Sequence, residues 1–174
     1  MNVAQQKIVI EFSEESCSGV IRDRSQLELM KSKWFGRDEG GQYVLSLEEL
    51  AYLLMKGRAV VKCSGKTYSE LDKLVMEYYK CFSEMFWPRL IVYTDLRDRG
   101  RLLKPIGENA YLVKHKDNTL KLLLVMEEKM PVGIKDVMEQ VEKAKKNNLS
   151  LIMAIVSLQG DLTYYEVSDV ELSK

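Results

Sequence analysis

Two short apolar runs, residues 120–126 and 149–156, bracket a stretch whose apolar residues recur at helical spacing: Ile134, Val137, Met138, Val141 and Ala144. The runs are as short and apolar as largely buried strands should be, and the stripe between them is that of an amphipathic helix. Lys143, Lys145 and Lys146 fall in the helix's last turn, where cations suit the dipole, and Asn147-Asn148 follow as a C-cap. Residues 101–106 and 110–116 read as earlier strands joined by Gly107-Glu108-Asn109. Gly160-Asp161 turns the chain into a last strand, residues 162–167. Strands, a helix, then two more strands make a mixed sheet flanked by helices.

The first half reads differently. Residues 7–12 alternate as a strand, 19–21 form another, and 24–34 a short helix ended by Gly36. Gly40-Gly41 is a turn before a brief extended piece ending at Leu45. Ser46-Leu47-Glu48-Glu49 is a capping box, opening a helix that Gly57 stops. Residues 59–63 are a strand. Thr67-Tyr68-Ser69-Glu70 has the form of a second capping box, and Leu71, Leu74, Val75, Tyr78, Phe82 and Met85 extend one helical face up to Pro88. Pro88 is expected to end or kink that helix. The boundary between two domains, 1–87 and 88–174, is placed there. The whole is an α/β (α+β) chain.

Composition removes several classes. Lysine plus arginine and aspartate plus glutamate both number 26, so the chain is not a basic, free-standing nucleic-acid binder. No apolar run reaches the roughly 18 residues of a membrane span, and residues 1–6 lack a signal-peptide pattern, so a cytoplasmic protein is expected. Cys17, Cys63 and Cys81 show no CxxC spacing; buried thiols are expected, with no metal and no cofactor. Arg89, Arg97, Arg99, Arg101 and Lys104 cluster against only Asp95 and Asp98, and no arginine follows Arg101. Arg97, Arg99 and Arg101 are therefore the candidate RNA contacts; for Arg97 a bracing ion pair is the competing role.

The segment Leu90-Ile91-Val92-Tyr93-Thr94-Asp95-Leu96-Arg97-Asp98-Arg99-Gly100 resembles the helix that begins the C-terminal domain of archaeal tRNA-splicing endonucleases. Ala154-Ile155-Val156 through Gly160-Asp161 to Tyr164-Tyr165 resembles that family's closing strands, and Ser46, Glu49 and Tyr52 its N-terminal helix. The resemblance implies a small α/β N-terminal domain and a restriction-endonuclease-like C-terminal domain. It also implies intron removal from precursor tRNA at a bulge–helix–bulge, by metal-free transesterification that leaves a 2′,3′-cyclic phosphate. That chemistry needs a tyrosine base, a histidine acid and a lysine beside the phosphorane.

On the family's pattern those three positions fall on Lys114, Thr119 and Asn148. The resemblance is thus to the structural subunit of a heteromeric enzyme, paired with a catalytic subunit in a two-plus-two heterotetramer that handles precursor tRNA jointly. Gln159, Gly160 and Asp161 would form a docking loop, and Tyr164, Tyr165 and Val167 an interface strand. Two alternatives stand beside this: a self-sufficient nuclease using Tyr111, His115 and Lys146, and a metal-dependent one using Asp117, Glu127 and Lys129. His115, the sole histidine, is expected at the surface.

Overall fold

The computed structural model describes residues 6–167, so the reading of the N-terminus falls almost wholly outside the described residues. The chain divides into two compact units, residues 1–93 and 94–174.

In the first unit, β1 (Ile8–Ser13) and β2 (Ser18–Ile21) form a hairpin, followed by α1 (Arg24–Ser32). Next come β3 (Arg37–Glu39), β4 (Gln42–Leu45), α2 (Leu47–Met55), β5 (Ala59–Cys63), β6 (Lys66–Tyr68) and α3 (Leu71–Glu77). The sheet order is β3-β4-β2-β1-β5-β6, with β1 and β5 parallel and every other pair antiparallel. Ile10, Leu45, Leu50, Leu53, Val61 and Leu74 are fully buried between sheet and helices.

The capping box at Ser46 forms: its hydroxyl accepts from Glu49 N at 3.3 Å, and Glu49 Oε2 accepts from Ser46 N at 2.9 Å. The other Glu49 oxygen accepts from Gly36 N at 2.8 Å, so one buried carboxylate satisfies two backbone N–H groups, those of Ser46 and Gly36. Gly36 has φ +69°, and a Cβ there would lie 2.7 Å from the Tyr43 ring, so the position requires glycine.

Three local expectations are corrected. The second capping box does not form: Thr67 and Tyr68 pair with Lys62 and Val61 in β6, and the N-cap of α3, Glu70, makes no side-chain cap. The apolar stripe from Leu71 to Met85 does not make one helix. It breaks after Glu77 into a 3₁₀ turn, Tyr79–Cys81, because Tyr78 packs its ring on Phe12 and Tyr68. Such tertiary contacts outweigh propensity. Finally, Cys17 and Cys81 are joined in a disulfide across 64 residues of sequence, leaving Cys63 as the free thiol. The expected set of thiols missed this because pairing depends on where the β1–β2 turn and the 3₁₀ turn lie in space.

Pro88 begins a helix rather than ending one. It sits in the first turn of α4 (Phe86–Asp98), where backbone N–H groups have no intrahelical acceptor and proline costs nothing. Residues of α4 through Tyr93 belong to the first unit.

The second unit continues with β7 (Leu102–Pro105), β8 (Ala110–Lys114), β9 (Leu120–Glu127), α5 (Ile134–Lys146), β10 (Ser150–Val156) and β11 (Leu162–Val167). The sheet runs β11-β10-β9-β8-β7, with β9 and β10 parallel across α5 and the rest antiparallel. The expected mixed sheet is present, and β11 lies at its edge. Leu122, Leu151 and Ala144 of α5 form a core on one face of it. Tyr111, Val113, Leu123 and Ala154 are buried on the other.

Candidate functional site

Strand register decides which side chains can meet. Lys114 pairs with Leu120 at the end of the β8–β9 hairpin, and Lys121 pairs with Ser150 at the start of β10. Lys114, Thr119 and Asn148 therefore lie at one end of the sheet, where three neighbouring strands begin or finish. The hairpin closes through His115 N donating to Thr119 O at 2.9 Å and Asn118 N to His115 O at 3.0 Å. Asp117 accepts from both Thr119 N, at 3.0 Å, and Thr119 Oγ1, at 2.7 Å. Asn148 has φ +53° and closes α5: its N–H reaches Lys145 O and that of Leu149 reaches Ala144 O, a Schellman pair with asparagine where glycine is usual. A lysine, a hydroxyl tied into a turn and a helix-capping amide occupy this end. None of these is a base and acid pair that could exchange a proton near neutral pH.

His115 is half-buried rather than at the surface, and its Nε2 is shielded from solvent with no hydrogen-bond partner among the described residues. Burial lowers its pKa, and the nearby Arg101 and Lys121 charges lower it further, against smaller opposing effects of Asp117 and Glu166. Each of these leading effects disfavours the protonated ring, the form that would protonate a leaving group.

The Tyr111, His115 and Lys146 set does not assemble. Leu112 lines a groove with Gln140 and Lys143 of α5 and its C-cap Asn147, so the alternating Tyr111, 1% exposed, points to the opposite face of the sheet. Nor does the metal set. Asp117 lies in the turn before β9 and Glu127 at its far end, a strand length of roughly 25 Å away. Among the described residues no group of three or more metal-ligating side chains comes together.

The stretch from Tyr93 to Gly100 is architectural. Tyr93 is fully buried. Asp95 accepts from the Tyr164 hydroxyl at 2.7 Å and pairs with Arg99 at 3.0 Å. The Tyr164 phenol is pushed well up by burial and by that carboxylate. Arg97 is buried and donates to Leu103 O at 3.1 Å, tying helix to strand. Gly100, at φ +77°, ends α4, with Arg101 N donating to Leu96 O. Arg99 is exposed and Arg101 half-exposed.

The loop after β10 is tight. Ser157 Oγ accepts from Gln159 N at 3.2 Å and Asp161 N at 3.0 Å, and Ser157 N donates to Asp161 O at 2.8 Å. Gln159, Gly160 and Asp161 are exposed at its tip. On β11, Tyr164 faces α4 while Tyr165 is 54% exposed on the other side.

Two α+β units, the second carrying a mixed sheet whose strand ends gather Lys114, Thr119 and Asn148, define a nuclease-like class of protein. Residues 10–74 match the N-terminal domain of tRNA intron endonuclease, and residues 86–164 match its catalytic C-terminal domain. The chain is 32% identical to the tRNA-splicing endonuclease of Pyrococcus horikoshii over 84% of its length and 87% of the relative's. It is 31% identical to that of Thermococcus kodakarensis, over 82% and 87% respectively. Against the tRNA-splicing endonuclease of Methanosarcina mazei it is 29% identical over 80% of its own length but only 40% of the relative's. The chain belongs to the tRNA-splicing endonuclease family. No helix among the described residues is long and apolar enough to cross a membrane.

Proposed function

We propose that this chain is a structural, non-catalytic subunit of a heteromeric tRNA-splicing endonuclease. It supports a catalytic subunit that cuts precursor tRNA at bulge–helix–bulge sites, in a two-plus-two heterotetramer. The observation that carries this reading is the strand end itself. Lys114, Thr119 and Asn148 gather at one end of the sheet, and the family resemblance would put its tyrosine, histidine and lysine at those positions; the protonated form of the one histidine nearby is disfavoured. Residues 1–87 serve as the N-terminal domain and 88–174 as the nuclease-like domain that has lost its chemistry.

Assembly uses the exposed features at the far edge of the sheet. The Ser157 hydrogen bonds hold the loop in one shape, which lowers the entropic cost of presenting Asp161 to a basic cleft on the catalytic subunit. β11 is the edge strand among the described residues and offers that edge and the exposed face of Tyr165 for strand pairing, with Val167 at its end. Arg99 and Arg101 contact RNA in the complex, whereas Arg97 acts from inside as a brace.

Co-expression with a catalytic subunit, followed by cleavage of an intron-containing precursor, tests the proposal. Cleavage is expected to require the partner's triad and to survive His115→Ala in this chain. Cleavage that persists without the partner's triad and vanishes with His115→Ala contradicts it.

A further inference from the structure

The apolar stripe of α5 is only half covered. Its C-terminal end packs: Ala144 is 2% exposed and joins Leu122 and Leu151 in the core, with Val141 against them. Its N-terminal end does not pack in this way. Ile134 is 80% exposed and Met138 59%. Met130 and Val132, in the connection from β9, are exposed as well, and so is Leu158 in the loop after β10. Single exposed apolar residues are ordinary, but five in two adjoining segments make a patch.

The segments adjoin because β9 and β10 are parallel neighbours. Glu127 pairs with Val156 at the last rung, and Glu128 N donates to Val156 O at 2.9 Å. The β9–α5 connection and the loop after β10 therefore leave the sheet side by side at one end. The same segments are acidic. Glu127, Glu128, Asp136, Glu139 and Asp161 stand against Lys129 and Lys135. None of these seven forms an ion pair among the described residues. The N-terminus of α5 adds about half a positive charge, so a surplus of roughly two to three negative charges remains.

Charge and polarity select the occupant. A negative surplus repels RNA phosphates. Exposed apolar side chains among unpaired carboxylates complement a protein surface with an apolar centre and a cationic rim. The basic cleft assigned above to the catalytic subunit has the matching charge, and a cleft that receives Asp161 lies over this end of the sheet. The loop itself brings a single acid, because Ser157 and Gln159 are neutral. Glu127 and Glu128 flank its base and supply the charge that it lacks. We propose that the catalytic subunit covers the first turns of α5 and the β9–α5 connection together with the loop. It seats apolar side chains on Ile134 and Met138 and cations on Glu127 and Glu128. This inference rests on the assembly role proposed above and assigns it a second contact.

The test uses the full chain co-expressed with the catalytic subunit and reads dissociation of the complex by sedimentation across a range of salt. Ile134→Ala with Met138→Ala is expected to weaken assembly roughly tenfold or more at every salt concentration. Glu127→Gln with Glu128→Gln is expected to weaken it roughly fivefold at low salt and to flatten the salt dependence. These side chains are exposed or half-exposed and alanine favours a helix, so each variant should melt with the parent. Without any substitution, the Met138 methyl NMR signal should shift when the catalytic subunit is added. The inference is overturned by unchanged assembly of either pair of substitutions or by an unmoved Met138 signal in the complex. It is also overturned if the chain alone self-associates and the alanine pair abolishes this, which would make a second copy the occupant. A parent chain that does not associate removes the assembly role as well. Assembly weakened by Asp161→Lys but not by the alanine pair removes this inference alone.

Discussion

Glu48 and Arg89 show what a single buried pair does for this fold. Their side chains are 5% and 19% exposed, with Nε to Oε1 at 2.7 Å. Removing the acid strands a guanidinium in a desolvated position, which typically costs 3–5 kcal/mol. Glu48→Ala should therefore lower unfolding stability by about 3 kcal/mol in a urea titration, with Arg89→Met added to it restoring part of the loss. An unchanged midpoint for Glu48→Ala would show that the pair is not stabilising. His115 yields a pH dependence. Its pKa lies below the ordinary 6.5 in the folded chain, so the unfolded chain binds the proton more readily. Stability should be fully present above about pH 6.5 and fall as pH drops from there toward the depressed folded value. His115→Gln should flatten that slope in denaturant melts taken across the window. Neither residue announced itself. Glu48 reads as an ordinary first-turn acid, and a lone histidine at a strand end reads as a surface residue until its neighbours are known.

At the scale of elements, the strands and most helices were legible because their signals are local. The Ser46 capping box, the β8–β9–α5–β10–β11 order and the asparagine cap of α5 all rest on residues close in sequence. The failures came where distant residues decide. Thr67 and Tyr68 look like a helix start but are held in β6 by Lys62 and Val61. The stripe through Met85 keeps helical spacing, yet Tyr78 is fixed by Phe12 and Cys81 by Cys17. Trp34, two residues before the left-handed Gly36, takes the left-handed position that closes α1, which a rule favouring glycine cannot foresee. The Cys17–Cys81 bond pins the β1–β2 turn to the segment before α4. Closing a loop of this length usually stabilises by about 2–4 kcal/mol. Cys17→Ser, or the parent chain in reductant, should melt several degrees lower than the oxidised protein. Identical melting curves would mean that the bond contributes nothing.

For the whole molecule, the family was legible from the Tyr93–Gly100 stretch and the closing strands. The structure explains why that stretch is so specific: it is a set of braces and a cap, Asp95 to Tyr164, Arg97 to Leu103, Gly100 ending the helix. The candidate site was read from the sequence as three positions, Lys114, Thr119 and Asn148. What required coordinates was that these three positions converge at one sheet end, while Tyr111 and Lys146 lie toward opposite faces. If Asp161 docks on a basic cleft, Asp161→Lys should weaken assembly roughly tenfold or more by sedimentation, and raised salt should weaken the parent in the same direction. Unaltered assembly of the variant would remove this loop from the interface. The central claim is that the chain assists cleavage without performing it. The most direct measurement is single-turnover incubation of the purified chain alone with an end-labelled bulge–helix–bulge precursor, with the products read on a gel. Intact precursor is expected at every time point; fragments bearing a 2′,3′-cyclic phosphate would contradict the claim.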